Sequence, residues 1–363
     1  MAESKKQLVI LGGGPGGYGA AFMAADLGLE VTLVDPEVNP GGVCLYRGCI
    51  PTKALLHAAR VIGEARGAPE MGISFDEPAV DLDRLRDWKD GVVRKLTRGL
   101  GQLARRRKVR HIQGRARFAD AGTLELDAPD GPARLRFEHA IVATGSLPAR
   151  IPGLPPDSDR VLDASAALEL AEVPDRLLVI GGGYIGLELG TVYARLGSRV
   201  TVAEMTGSLL PGVDSDLVRP LQKRLEKLFE AIRLETKVDD IEDTGSSVRV
   251  RLQGGEGDEG ESAGQEFDRV LVAVGRLPAT GGLGLQDAGV EVDERGFVPI
   301  DDKLRTGAAG IYAIGDIPGQ PMLAHRASRQ GRTAVEVIAG REVAFEPRAV
   351  PAVVCSAGIC AVT

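Results

Sequence analysis

An α/β fold with two similar halves, each a parallel sheet flanked by helices, is predicted by three observations in the sequence. The first is an internal repeat at a constant offset of 169 residues, which pairs Gly12 with Gly181, Gly14 with Gly183, Gly17 with Gly186, Gly28 with Gly197 and Asp35 with Glu204. The second is that the runs Leu8 to Leu11 and Leu178 to Ile180 are continuously apolar, as in strands covered on both faces. The third is a Gly-x-Gly-x-x-Gly turn in each half, with an acid 21 residues after its middle glycine. A length of 363 residues and 44% hydrophobic residues allow two or three domains with substantial cores.

Each half therefore reads as strand, glycine turn, helix and a second strand ending in an acid. That order defines a dinucleotide-binding unit: the glycines let the backbone approach a pyrophosphate at a helix N-terminus, and the acid takes ribose hydroxyls. A carboxylate at Glu204 accepts from a free 2′-hydroxyl and repels a 2′-phosphate, favouring NAD over NADP. Arg199, just before that strand, is a slight counterweight.

Composition excludes other classes. A net charge of −7 gives no electrostatic basis for a nucleic-acid partner, and the Arg105 to Lys108 and Arg115 to Arg117 clusters read as solvated faces. The apolar run after the amino terminus is too short for a signal core or a membrane span, so a cytoplasmic protein is expected. Four cysteines in so long a chain do not make a disulfide scaffold.

The distinctive stretch is Gly41-Gly-Val-Cys-Leu-Tyr-Arg-Gly-Cys-Ile-Pro-Thr-Lys53. In a regular helix Cys44 and Cys49 would lie roughly 8 to 9 Å apart, beyond disulfide reach. If they bond, the backbone here is not regular helix, and Gly48 and Pro51 permit a break followed by a restart. A helix from Lys53 to Arg60 would point its positive end at the thiols, which favours the reactive thiolate. Two buried structural cysteines are the alternative. Lys53 alone reads equally as a surface helix lysine, and Glu188 as an exposed glutamate.

Further along, Leu82 to Arg107 is expected to be a long amphipathic helix and Val109 to Leu126 a strand and hairpin. Ile141 to Pro148 and Val270 to Pro278 each read as a strand ending in a glycine turn. Gly254 to Gln265, glycine-rich and acidic, reads as a surface loop. Thr306 to Asp316 ends in a Gly-Asp turn, and Pro321 to Ala327 opens a helix running to about Ala339.

The Gly-Gly-x-Cys-x4-Cys-x-Pro-x-Lys pattern, with the two nucleotide units, resembles the pyridine-nucleotide disulfide oxidoreductases, and its wording resembles members that oxidise protein-bound dihydrolipoamide to lipoamide. The resemblance implies two Rossmann-like domains of the three-layer ββα, glutathione-reductase-like type. It divides the chain into residues 1–148 and 273–346 for FAD, 149–272 for NAD, and 347–363 as a remnant of a dimerisation domain. It implies an FAD site of Gly12, Gly14, Gly17, Asp35, Gly42, Lys53, Gly114, Thr144, Gly145, Asp316 and Ala324. Its NAD site would be Gly181, Gly183, Tyr184, Ile185, Gly186, Glu188, Glu204, Val238 and Gly275. It makes Cys44 the interchange thiol and Cys49 the charge-transfer thiol of a redox-active disulfide, and pairs Lys53 with Glu188. No metal is implied, and the partner is a lipoyl domain of a 2-oxoacid dehydrogenase complex or glycine cleavage system.

The resemblance runs from Leu8 to Val354. Val350 to Val354 resembles the first strand of the family's dimerisation domain, but Cys355 to Thr363 does not continue it. The family's catalytic His-Glu pair belongs to that domain, and His57, His111, His139 and His325 do not match it. The expectation is therefore impaired oxidation of dihydrolipoamide, a lost or weakened homodimer, and an exposed strand edge. The five-residue spacing of Cys355 and Cys360 reads as coincidence.

Overall fold

In the computed structural model, residues 7–129, 131–151, 153, 158–254, 264–356 and 359–362 are described. Its helices are α1 (Pro15–Asp26), α2 (Gly42–Arg47), α3 (Cys49–Gly67), α4 (Leu82–Arg106), α5 (Ala164–Glu169), α6 (Tyr184–Leu196), α7 (Ser215–Leu225) and α8 (Ala324–Ile338). The chain forms two units. The first comprises Met1–Tyr46, Val93–Leu147 and Leu277–Val350, and the second Arg47–Val92, Pro148–Arg276 and Pro351–Thr363.

The first unit is a five-stranded parallel sheet in the order Ile311–Ala313, His139–Val142, Gln7–Leu11, Glu30–Asp35, Arg110–Gln113. Because side chains alternate along a strand, its two faces build separate cores. Val9, Leu11, Val34 and Val142 pack with Phe118, Leu124 and Leu126 of an antiparallel three-stranded meander, Arg115–Asp120, Thr123–Asp127 and Ala133–Arg136. Leu8, Ile10 and Leu33 pack instead with Ala20, Ala21 and Ala24 of α1 and with Ala334 and Val335 of α8.

The second unit repeats this plan. Its parallel sheet runs Ala231–Arg233, Arg199–Ala203, Arg176–Ile180, Arg269–Val272, Val161–Leu162. Its register is that of the first unit shifted by the repeat: Leu8 pairs Val31 and Leu177 pairs Val200. One face packs on a meander through Leu178, Ile180, Val248, Val250 and Phe267, the other on helices through Leu177, Val179, Leu187 and Val192. Meander, parallel sheet and helices are the three layers expected.

The expected division differs from the observed one at residues 47–92. The reason is packing: α3 buries Leu55 and Ala59 in the same cluster as Leu187, Leu189 and Val192 of α6, so this excursion belongs to the second unit. The two segments expected to be a strand ending in a glycine turn each run on into a short strand, Ser146–Pro148 and Arg276–Pro278, and these pair with each other.

The carboxyl-terminal strand differs from its expected bounds. The strand begins at Val353 and does not stand alone: Val353–Ser356 pairs antiparallel with Ile359–Val362. Buried Val354 joins the α6 cluster, which gives the hairpin an anchor. The side chains of Cys355 and Cys360 lie outside the described residues, as do most of the Gly254 to Gln265 loop and the first six residues. Among the described residues, no helix is long and apolar enough to cross a membrane.

Candidate active site

The three glycines of each turn do two different jobs. At Gly12 and Gly181, φ is +101° and +108°, and an added Cβ would collide with the carbonyl oxygen of Ala143 or Ala273, just past the end of the neighbouring strand. At Gly17 and Gly186 a Cβ would run into the carbonyl of Gly12 or Gly181, so these glycines seat the helix against its own turn. At Gly183, by contrast, nothing lies within 4 Å of a Cβ position, and at Gly14 only the Gly42 Cα is met, at 4.0 Å. The middle glycines therefore leave bare backbone facing open space, the condition a pyrophosphate requires. Gly17→Ala is expected to cost on the order of 3 kcal/mol, read as a lower urea midpoint, because the clash is with rigid backbone.

The acids repeat as closely as the glycines. Asp35 Oδ2 accepts from Gly13 N–H at 2.5 Å, and Oδ1 from Glu37 N–H at 2.9 Å. Glu204 Oε2 accepts from Gly182 N–H at 2.6 Å, and Oε1 from Thr206 N–H at 2.7 Å and its hydroxyl at 2.8 Å. Burial pushes the Asp35 carboxyl above the usual range, against the pull of the Gly13 and Glu37 amides and of His111. A buried carboxylate with spare lone pairs suits ribose hydroxyls. Arg199 is drawn away: at the far end of its strand it pairs with Asp175 and Glu230.

The cysteine segment is broken as the sequence allows. Helix α2 ends at Arg47, Gly48 takes φ −148° and ψ −116°, and Cys49 is the first residue of α3, with Pro51 in the first turn. Thr52 fastens the restart, its hydroxyl donating to the Gly48 carbonyl at 2.7 Å. Cys44 is half-buried and Cys49 is exposed. Gly42, at φ +60°, brings α2 against Gly14, where a Cβ would meet the Gly14 Cα at 2.5 Å.

One turn into α3, Lys53 Nζ donates to both oxygens of Glu188, at 2.6 and 2.7 Å. Glu188 stands on α6 among buried residues and is itself only 3% exposed. A carboxylate so placed needs a cation, and α3 supplies it because Leu55 and Ala59 dock that helix on α6. Tyr184, the first residue of α6, is 41% exposed, and half-buried Ile185 packs against the α6 cluster.

In the first unit, Asp316 Oδ2 accepts from Ser146 Oγ at 2.5 Å and Thr144 Oγ1 donates to the Ala279 carbonyl at 2.8 Å. Gly145 is at φ +75° with open space where a Cβ would stand, and Ala324 opens α8. Gly114 donates to the Asp35 carbonyl at 3.0 Å. Gly275, at φ +127°, is open in the same way. Val238 lies on the second meander and packs against its core cluster. Sequence reasoning missed Ser146, Thr206, Arg326 and Gln330. Thr206, two residues after Glu204, carries a local side-chain signal, and Gln330 is a polar residue on the buried face of an amphipathic helix; Ser146 and Arg326 carry none.

Two dinucleotide cradles, a thiol at a helix start and a partly buried ion pair one turn on define a redox protein that couples a nucleotide to thiol chemistry. The chain belongs to the pyridine nucleotide-disulphide oxidoreductase family, whose model matches residues 6–331. It is 46% identical to the dihydrolipoyl dehydrogenase of Vibrio cholerae and 47% identical to that of Haemophilus influenzae, in each case over 97% of this chain and 73% of the relative. Among solved structures it resembles LpdA from Mycobacterium tuberculosis, with a TM-score of 0.87 and 29% identity over 97% of this chain and 76% of that one. It also resembles the HOCl-induced flavoprotein disulfide reductase RclA from Escherichia coli, seen as its Cu(II) complex, with a TM-score of 0.84 and 29% identity over 97% and 75% of the two chains. The chain is a flavin disulfide oxidoreductase of the kind that uses FAD and NAD.

Proposed function

We propose that the first unit holds FAD, the second holds NAD, and Cys44 and Cys49 exchange electrons with a dihydrolipoyl group carried on a lipoyl domain. The observation that carries this reading is the Lys53–Glu188 pair, which joins the helix that starts at Cys49 to the helix that starts at the NAD turn. Gly12, Gly14, Gly17, Asp35 and Asp316 would hold FAD. Gly181, Gly183, Gly186 and Glu204 would hold NAD.

Bound FAD supplies the passage of an electron pair between the nicotinamide and the thiol pair. The rest is the work of the chain. With Cys44 and Cys49 oxidised, a substrate thiolate attacks Cys44 Sγ, the Cys44–Cys49 bond breaks, and Cys49 leaves as a thiolate at the positive end of α3. The second substrate thiol then attacks the mixed disulfide, releasing the cyclic disulfide and a Cys44 thiol. Lys53, its ammonium held by Glu188, offsets negative charge accumulating on this side.

Dihydrolipoamide-dependent reduction of NAD by purified, FAD-loaded protein tests the proposal, with NADH-dependent reduction of glutathione disulfide assayed in parallel. Turnover with dihydrolipoamide alone supports it, and turnover with glutathione disulfide alone sinks it. Glu204→Ala is expected to raise the NADH KM about tenfold by removing the ribose acceptor, with a smaller change for NADPH, as steady-state kinetics would show.

A further inference from the structure

The loop that carries Asp316 is gripped by two side chains of α8 that belong to none of the motifs described above. Gly315 is buried and sits at φ +78°, so the chain turns sharply there and its polar atoms need partners inside the protein. Its N–H donates to Gln330 Oε1 at 2.8 Å, and its carbonyl accepts from Arg326 Nη1 at 3.2 Å. Arg326 and Gln330 are four residues apart on α8 and so share a face. The same Arg326 nitrogen donates to the Gly319 carbonyl at 2.8 Å, tying the following turn to the first.

Gln330 is fully buried, and its Nε2 has no hydrogen-bond partner. A buried carboxamide with only its oxygen engaged is poor packing material. What it contributes is an acceptor for Gly315. Arg326 is half-buried, and burial lowers its pKa against the pull of Asp316.

We propose that Gln330 and Arg326 are positioning residues for the flavin. They hold the Gly315 peptide from its N–H and C=O sides and thereby aim the Asp316 carboxylate, whose Oδ2 is taken by Ser146 and whose Oδ1 is left for a ribityl hydroxyl. The proposal rests on the reading of Asp316 as a flavin ligand.

The test strips FAD from the purified protein and titrates it back, following quenching of flavin fluorescence, with thermal unfolding of each apoprotein alongside. Gln330→Met keeps the volume but removes the acceptor, and its Kd for FAD is expected to rise about tenfold. Gln330→Glu keeps an acceptor and is expected to stay within about threefold of the parent. Arg326→Met, which releases the carbonyl side, is expected to weaken FAD as Gln330→Met does, and it decides the matter if Gln330→Met does not fold. A merely structural role lowers apoprotein and holoprotein stability together and leaves the Kd unchanged. Parental FAD affinity in the Met variants, with Asp316→Asn weakened, overturns the proposal alone. If Asp316→Asn binds FAD like the parent, or the parent binds none, the flavin-ligand reading falls and takes this proposal with it.

Discussion

Cys44→Ser is expected to abolish lipoamide turnover, by about 10³-fold or more, while FAD and NADH still bind. The serine is close in size, and Cys44 is half-buried in a short helix whose anchor in the core is Leu45, so the fold is expected to survive. A hydroxyl in its place is a far weaker nucleophile near neutral pH and forms no mixed disulfide. Both half-reactions therefore stop at the same atom. Cys49→Ser leaves Cys44 able to capture a substrate disulfide but unable to resolve it, so a mixed disulfide should accumulate and be visible by intact-mass spectrometry. If Cys44→Ser keeps even a tenth of parental turnover, the assigned thiol chemistry is wrong.

Lys53→Met is expected to cost about 2 kcal/mol in stability and to slow NADH-driven reduction of the enzyme on the order of 10²-fold. Removing one partner of a buried pair typically costs about 3–5 kcal/mol, and the figure is reduced here because solvent screens a half-exposed lysine. The side chains are 44% and 4% exposed for Lys53 and Glu188, which makes the two deletions unequal. Losing Lys53 strips a buried carboxylate of its cation, whereas Glu188→Gln leaves a lysine that can turn to water and should cost about 1 kcal/mol or less. Urea unfolding of both single variants and the double variant measures the coupling. Equal costs for the two deletions would show that Glu188 is not held as a buried charge.

The nucleotide cradles were legible because they depend on local geometry. A glycine at positive φ, an apolar strand and an acid at fixed spacing act within a few residues, and the repeat printed the same solution twice, down to Asp35 on the Gly13 amide and Glu204 on the Gly182 amide. The break at Gly48 was legible for the same reason. The Gln330 grip was not: it joins Gly315 to a side chain 15 residues away, and a lone glutamine in a helix carries no mark of what its oxygen accepts. The hairpin formed by Val353–Ser356 and Ile359–Val362 was missed because the expectation came from resemblance, which stops at Val354.

By itself the sequence determined the two βαβ units, the helix break between the two cysteines and the acids that accept from the turn amides, because backbone sterics and hydrogen-bond spacing act over short stretches. Only the tertiary structure decided that residues 47–92 pack with the second unit and that α8 holds the Gly315 loop, whereas the meeting of Lys53 with Glu188 across 135 positions was expected from the resemblance. Those contacts are set by which apolar faces find one another, Leu55 and Ala59 of α3 on Leu187 and Val192 of α6, and the polar partners follow where that packing puts them.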